Sequence, residues 1–323
     1  MKTTIVGPGA VGTLIGGLLR LDGHEVTLVG RNAGGPRERR VRISHPAGWL
    51  VADGVKRVGA GAGAPESDAW IVTLGRHHLH TVRRPDFARL TSAGSGPVFF
   101  FNCDPAEPER LAVPRERRRL GLTLLNAVRL QDDDVELCGS EPAVVVERAP
   151  GGDELFGGMG RCGVRVVVVD DALPFMNSFF IWQLLFLPVA LCNLTLPAFL
   201  AHPDGRALAR SIMEEGFQTM EKAAQPLAPL PAMDPRSLAQ RIEKKPGSFE
   251  QARETPDRSY NPVLQAYLTD RPLEASFFNR RLVEMASSAG LHLTWNWRVM
   301  QKAGRVGSVG FYREPADLLR SLE

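Results

Sequence analysis

Thr3-Thr4-Ile5-Val6-Gly7-Pro8-Gly9-Ala10-Val11-Gly12 decides the fold of the first half of the chain. Thr3–Val6 is a short β-branched run that reads as a strand. The apolar spacing of Leu14, Ile15, Leu18 and Leu19 reads as an amphipathic helix, which Asp22-Gly23 stops. Glu25–Val29 is the next strand. Strand, glycine turn, helix and strand in that order form the context in which a Gly-x-Gly-x-x-Gly run binds a dinucleotide. Gly7 permits the tight turn, Gly9 lets the backbone approach a pyrophosphate, and Gly12 lets helix and strand pack closely. The helix start, with Pro8, Ala10 and Val11 around it, offers free N–H groups and a positive dipole end to phosphate.

The cofactor choice is read at the end of the second strand. An NAD site carries Asp or Glu there to hold the ribose 2′-hydroxyl. Gly30-Arg31 stands there instead. Losing the carboxylate removes repulsion of a 2′-phosphate, and a guanidinium supplies a bidentate partner for one. NADP(H) is therefore the expected cofactor, with Arg37, Arg39 and Arg40 as further cations nearby.

Outward from this unit, strands are expected at Val41–Ser44, Trp49–Ala52, Ala69–Leu74, Val98–Phe101, Leu122–Arg129, Val135–Leu137, Ala143–Glu147 and Val164–Val168. After Asp170-Asp171 the pattern turns helical: Ala172–Leu200, Gly205–Ala224, Pro235–Lys244, Pro262–Leu268, Glu274–Ala289 and Thr294–Ala303. The expected architecture is an α/β, Rossmann-type dinucleotide-binding domain over residues 1–170. An all-helical substrate and dimerisation domain over 171–323 follows it.

Composition narrows the function classes. The 323 residues suit two domains, and the 44% hydrophobic content is that of a globular protein. A net charge of +3 gives no bulk attraction to nucleic acid. Four cysteines without CxxC or histidine spacing point to a reducing cytoplasm and to no metal site. No signal peptide is expected, because Met1-Lys2 runs straight into a strand. Phe179–Leu200 is apolar and long enough to span a bilayer. Gln183, Pro188, Asn193 and Pro197 inside it argue for a helix buried between domains or in a homodimer. Trp295 and Trp297 are expected in the core.

These motifs resemble those of the ketopantoate reductases (2-dehydropantoate 2-reductases), which reduce a 2-oxo acid with NADPH. Thr3–Gly12 with Val26–Arg31 looks like the family's opening. Val98–Asn102 resembles its strand ending in an asparagine beside the nicotinamide, next to Leu74 and Gly75 after the neighbouring strand. Arg271–Asn279 resembles its Arg-x-Thr-Glu-Ile-Asp-x-x-Asn-Gly motif, preceded by a loop and short helix at Tyr260–Asp270. The resemblance implies Glu274 and Asn102 as catalytic residues. It implies Asn279, Asn193, Ser259 and Asn261 around a small carbonyl substrate.

The chain also departs from the family pattern. Trp182 matches the family's Trp-x-Lys, but the lysine position falls on Leu184, beside Gln183. The two following asparagine positions fall on Pro188 and Cys192, with Asn193 one residue out of step. A second family lysine falls on Gly75, followed by Arg76. Hydride delivery to a ketone builds negative charge on oxygen, which needs a proton or a donor. Leu184 supplies neither; Arg76, His77 and His78 are candidates to replace it. Two readings stay open. One is a reductase of a 2-oxo acid or related carbonyl with an altered site, or of an already cationic imine. The other is a catalytically silent NADP(H)-binding protein.

Overall fold

The computed structural model describes residues 1–31, 37–45, 48–61, 65–75, 78–79, 82–131, 133–231, 234–244, 274–305, 312 and 314–323. The chain divides into two compact units, Met1–Ala172 and Leu173–Glu323.

The first unit is built on one mixed sheet. Its strands are β1 (Lys2–Val6), β2 (Glu25–Gly30), β3 (Arg37–His45), β4 (Gly48–Gly59), β5 (Ala69–Val72), β6 (Val98–Phe101), β7 (Arg118–Arg129), β8 (Asp134–Glu147) and β9 (Arg165–Val169). The order is β3-β4-β2-β1-β5-β6-β7-β8-β9. From β4 to β7 every pairing is parallel, while β3 and β8 join antiparallel to β4 and β7. The strand order turns at β1 and β5, the position in an α/β sheet where ligands gather beyond the carboxyl ends.

A further pairing changes the shape of the sheet. β3 also runs parallel to β8, with Arg42, Ile43 and Ser44 opposite Asp134, Val135 and Glu136. The sheet thereby closes on itself around the helix α1 (Ala10–Leu21). Every residue of α1 from Gly12 to Leu19 is buried, which a helix lying on an open sheet does not require. Gly16 sits against Leu28 of β2, and Gly17 against Val41 and Ile43 of β3. Alternation along the inner strands then separates two cores. Ile71, Phe99 and Phe101 face α1, while Trp70, Val72 and Phe100 join Phe87 and Leu79 on the other side.

Two sequence expectations are corrected in this unit. Val135–Leu137 and Ala143–Glu147 are parts of one long strand, β8, because the irregularity between Leu124 and Asn126 bends its pairing without ending it. Trp49–Ala52 is likewise only the start of the longer β4.

The regular structure among the described residues of the second unit is all helical. Its principal helices are Leu173–Gln183, Pro203–Lys222, Pro235–Lys244, Glu274–Ser288, Trp295–Arg305 and Pro315–Leu322. The single apolar helix expected over Ala172–Leu200 is broken. It divides into Leu173–Gln183, Phe186–Leu191 and Leu196–Ala201. Asn193, at φ +50, turns the chain between the last two. Pro197 sits in the first turn of the third, where Thr195 accepts the Ala198 N–H at 3.2 Å as its cap. Leu173–Leu191 is long and apolar enough, by length and composition, to cross a membrane, yet more than half of it is buried inside the protein. Trp297 is 47% exposed and so lies outside the core expected for it, whereas Trp295 packs against the core.

Candidate functional site

In the first unit the parallel register aligns the carboxyl ends of β1, β2, β5 and β6. Val6 lies opposite Val29 and Val72, and Val72 opposite Phe100. Gly7–Gly12, Arg31, Leu74, Gly75 and Asn102 all follow these ends, so the fold brings them to one edge.

The glycine turn at this edge is tightly specified. Gly7 holds φ +103, and a Cβ there would stand 2.9 Å from the Leu74 side chain and 3.0 Å from its amide nitrogen. A Cβ on Gly12 would overlap the Gly7 carbonyl and the Thr73 hydroxyl. Thr73 donates that hydroxyl to Gly7 O at 2.7 Å, locking the end of β5 to the turn. Gly9, by contrast, faces open space. The first helical hydrogen bond of α1 runs from Thr13 N–H to Gly9 O at 2.9 Å. The amides of Ala10, Val11 and Gly12 precede it, with no side-chain cap and no acidic residue in the first turn. Such a terminus suits an anion.

Gly30 has its missing Cβ filled by Pro8, whose Cγ would lie 2.8 Å away, so the end of β2 nests under the turn. Arg31 follows it, exposed and without an ion-pair partner among the described residues. Arg39 pairs with Asp133 at 3.7 Å and Arg40 with Asp53 at 2.6 Å. Among the described residues those two cations are paired, whereas Arg31 and Arg37 have no ion pair.

Asn102 ends β6 at φ +53. Its side chain is spent on β7. Nδ2 donates to Thr123 Oγ1 at 2.7 Å, and Oδ1 accepts the Thr123 N–H at 2.9 Å. The amide mimics one more step of strand pairing and holds the left-handed turn that ends β6.

The second unit handles its residues differently. Asn279 is fully buried and donates Nδ2 to Asn296 Oδ1 at 2.8 Å. Its own Oδ1 has no hydrogen-bond partner among the described residues. Asn296 donates onward to Glu215 Oε2 at 2.8 Å and Ile212 O at 3.1 Å. Glu215 also accepts the backbone N–H groups of Thr294, Trp295 and Asn296 at 2.6, 2.8 and 2.9 Å. It caps the helix Trp295–Arg305. Sequence reading missed Glu215, because nothing local links it to residues about eighty positions away.

Leu184 is fully buried, and the bare face of Gly216 receives it, a Cβ there lying 3.0 Å from Leu184 Cδ1. Pro188 and Cys192 are core residues too. Burial pushes the Cys192 thiol up to about 12, with the charge of Asp317 adding to it. The group holds its proton across the physiological range. Asn193 is exposed, and Gln183 is half-buried beside Leu184. Glu274 begins the helix Glu274–Ser288. Its side chain, with Ser259, Asn261, Arg76, His77 and the expected helix at Pro262–Leu268, lies outside the described residues.

Comparison with known proteins places this arrangement. Residues 3–101 match the family model described as ketopantoate reductase PanE/ApbA, and residues 180–306 match its C-terminal model. The chain belongs to the ketopantoate reductase family. Among solved structures, it is similar to a PanE/ApbA family ketopantoate reductase from Ralstonia eutropha, at 18% identity and TM-score 0.72, covering 95% of this chain and 98% of that one. It is also similar to D-mandelate dehydrogenase, solved with NADH and anilino(oxo)acetate, at 14% identity and TM-score 0.71, covering 99% and 100%. A third is the dimeric ketopantoate reductase from Staphylococcus aureus, at 15% identity and TM-score 0.68, covering 94% and 98%. At these identities the likeness is one of fold. No curated protein matches the chain.

Proposed function

We propose that this member of the ketopantoate reductase family is an NADP(H)-dependent oxidoreductase acting on a 2-oxo acid or related carbonyl through an altered site. The carrying observation is the open edge of the first unit. An uncapped helix start, a glycine facing empty space and an exposed arginine with no ion pair among the described residues stand together at the turn of the strand order. The residues fit a dinucleotide: Gly7, Pro8, Gly9, Ala10, Val11 and Gly12 would hold the pyrophosphate in Rossmann fashion, and Arg31 the 2′-phosphate. Leu74, Gly75 and Asn102 would border the nicotinamide. Bound NADPH supplies the hydride.

Glu274, Asn279, Asn193, Ser259 and Asn261 are the family-pattern residues on the substrate side. D-Mandelate is a 2-hydroxy acid and ketopantoate a 2-oxo acid, which supports that substrate class. The reading includes a cytoplasmic homodimer with the domain boundary near residue 170. Phe179, Phe186, Leu196 and Leu200 are the partly buried side chains that the apolar segment offers a second copy.

A second reading, an NADP(H)-binding protein without turnover, is favoured by one observation. Leu184, at the position of the family's lysine, is buried in the core and offers no proton.

Two measurements test these readings. NADPH should bind about ten-fold or more tighter than NADH, and Arg31→Ala should close most of that gap, as expected for loss of a charge-assisted contact. Equal affinities in the unmutated protein would break the cofactor assignment. NADPH oxidation across a panel of 2-oxo acids separates the two functions: turnover of any member supports the reductase, and none supports the silent protein.

A further inference from the structure

Arg129 is the last residue of β7, where β7 pairs with β8 close to the point at which β8 closes the sheet onto β3. Its guanidinium leaves the strand and reaches the glycine turn. Nη2 donates to the carbonyl oxygen of Pro8 and lies 3.4 Å from the hydroxyl of Thr13. Thr13, buried in the first turn of α1, places the same hydroxyl 3.4 Å from Pro8 O. Arg129, Thr13 and Pro8 thus form a closed triangle behind the turn.

Two physical consequences follow. The Pro8–Gly9 peptide is pinned from its carbonyl side, while Gly9 N–H is held by Gly7 O at 2.8 Å. The turn therefore keeps one shape, and the amides of Ala10, Val11 and Gly12 keep one direction. A guanidinium also stays charged at every accessible pH, and a charge-assisted bond is about twice as strong as a neutral one. Closure of the sheet sets that permanent charge one hydrogen bond from the turn, adding to the positive end of α1.

We propose that Arg129 is a positioning residue for the pyrophosphate of the dinucleotide, acting by clamping the glycine turn and by lending it charge. This inference rests on the cofactor reading above and assigns a role to a residue some 120 positions from the motif it serves. Arg129 and Arg31 then divide the cofactor between them. Arg31 discriminates the 2′-phosphate, whereas Arg129 serves the pyrophosphate that NADPH and NADH share.

That division is directly testable on the full chain by titrating NADPH, NADH and adenosine 2′-monophosphate, which has no pyrophosphate. Arg129→Met should weaken NADPH and NADH by the same factor, roughly ten- to one-hundred-fold, leaving their ratio and the adenosine 2′-monophosphate affinity unchanged. Arg129→Lys should recover part of the loss. It also serves as the test variant, against Arg129→Gln, should the methionine variant fold poorly. Unchanged dinucleotide affinity in Arg129→Met would overturn the proposal. So would an equal loss for adenosine 2′-monophosphate, which marks a general loosening of the fold. If the unmutated protein binds neither dinucleotide, the cofactor reading itself falls and this inference falls with it. That failure is visible before any substitution is made.

Discussion

Two helix starts in this molecule face the same electrostatic problem and solve it in opposite ways. The helix Trp295–Arg305 has its leading amides taken by the Glu215 carboxylate, with Asn296 and the buried Asn279 linked behind it. Helix α1 has no side-chain cap and no acid in its first turn, and the glycine beside it faces empty space. Orphan amides at a helix start need a partner. Where the chain provides one from its own residues, the terminus is architecture. Where it provides none and surrounds the gap with glycines and arginines, the terminus stays open, as the proposed dinucleotide site requires.

The contrast can be broken from either side. The largest effect is expected at the filled terminus. Glu215→Ala strips an acceptor from three backbone amides and the Asn296 side chain, and should cost about 3–5 kcal/mol in denaturant unfolding. A loss below about 1 kcal/mol would mean that solvent serves these amides as well as the carboxylate does. At the open terminus, Gly12→Ala drives a Cβ into the Gly7 carbonyl and the Thr73 hydroxyl. Overpacking of this kind costs about 1–3 kcal/mol in stability, and NADPH titration should show at least about ten-fold weaker binding. The smallest effect comes from closing the open end on purpose. Ala10→Asp places a carboxylate where the pyrophosphate is proposed to sit. It should raise stability by about 0.5 kcal/mol through the helix dipole while weakening NADPH several-fold. Tighter NADPH binding in that variant would contradict the anion reading of α1.

The open terminus was far more legible in the sequence than the filled one, and the reason is distance along the chain. Gly7, Gly9, Gly12 and Arg31 lie within one strand–helix–strand unit, so turn chemistry and helical period expose them together. β5 and β6 were visible as short apolar runs for the same local reason. Glu215 meets its amides across about eighty residues, and Arg129 meets Pro8 across about 120. No periodicity reports such meetings. The pairing of Arg42–Ser44 with Asp134–Glu136 is equally silent, so nothing in the sequence announced that the sheet would close. The apolar segment misled in another way. Its composition predicts one long helix, whereas Asn193 turns the chain and Pro197 starts a separate helix. On the substrate side, the family pattern marks Asn279 without telling that its Nδ2 donates to Asn296 in the interior, because that partner lies on another helix.

Closure of the sheet around α1 bears on how the chain is made. The wall that covers the outer side of the glycine helix is completed by residues 134–136, more than a hundred positions after the helix itself. Contacts so far apart form late, because a long loop must be drawn in before they reward the chain. On the ribosome, where synthesis runs from the amino terminus, α1 can meet β3 soon after both emerge, but the wall stays open on the β8 side until residues 134–136 follow. The enclosure of the glycine helix, and with it the site proposed for the nucleotide, is thus completed only once β8 has left the exit tunnel, long after the glycines that advertise it.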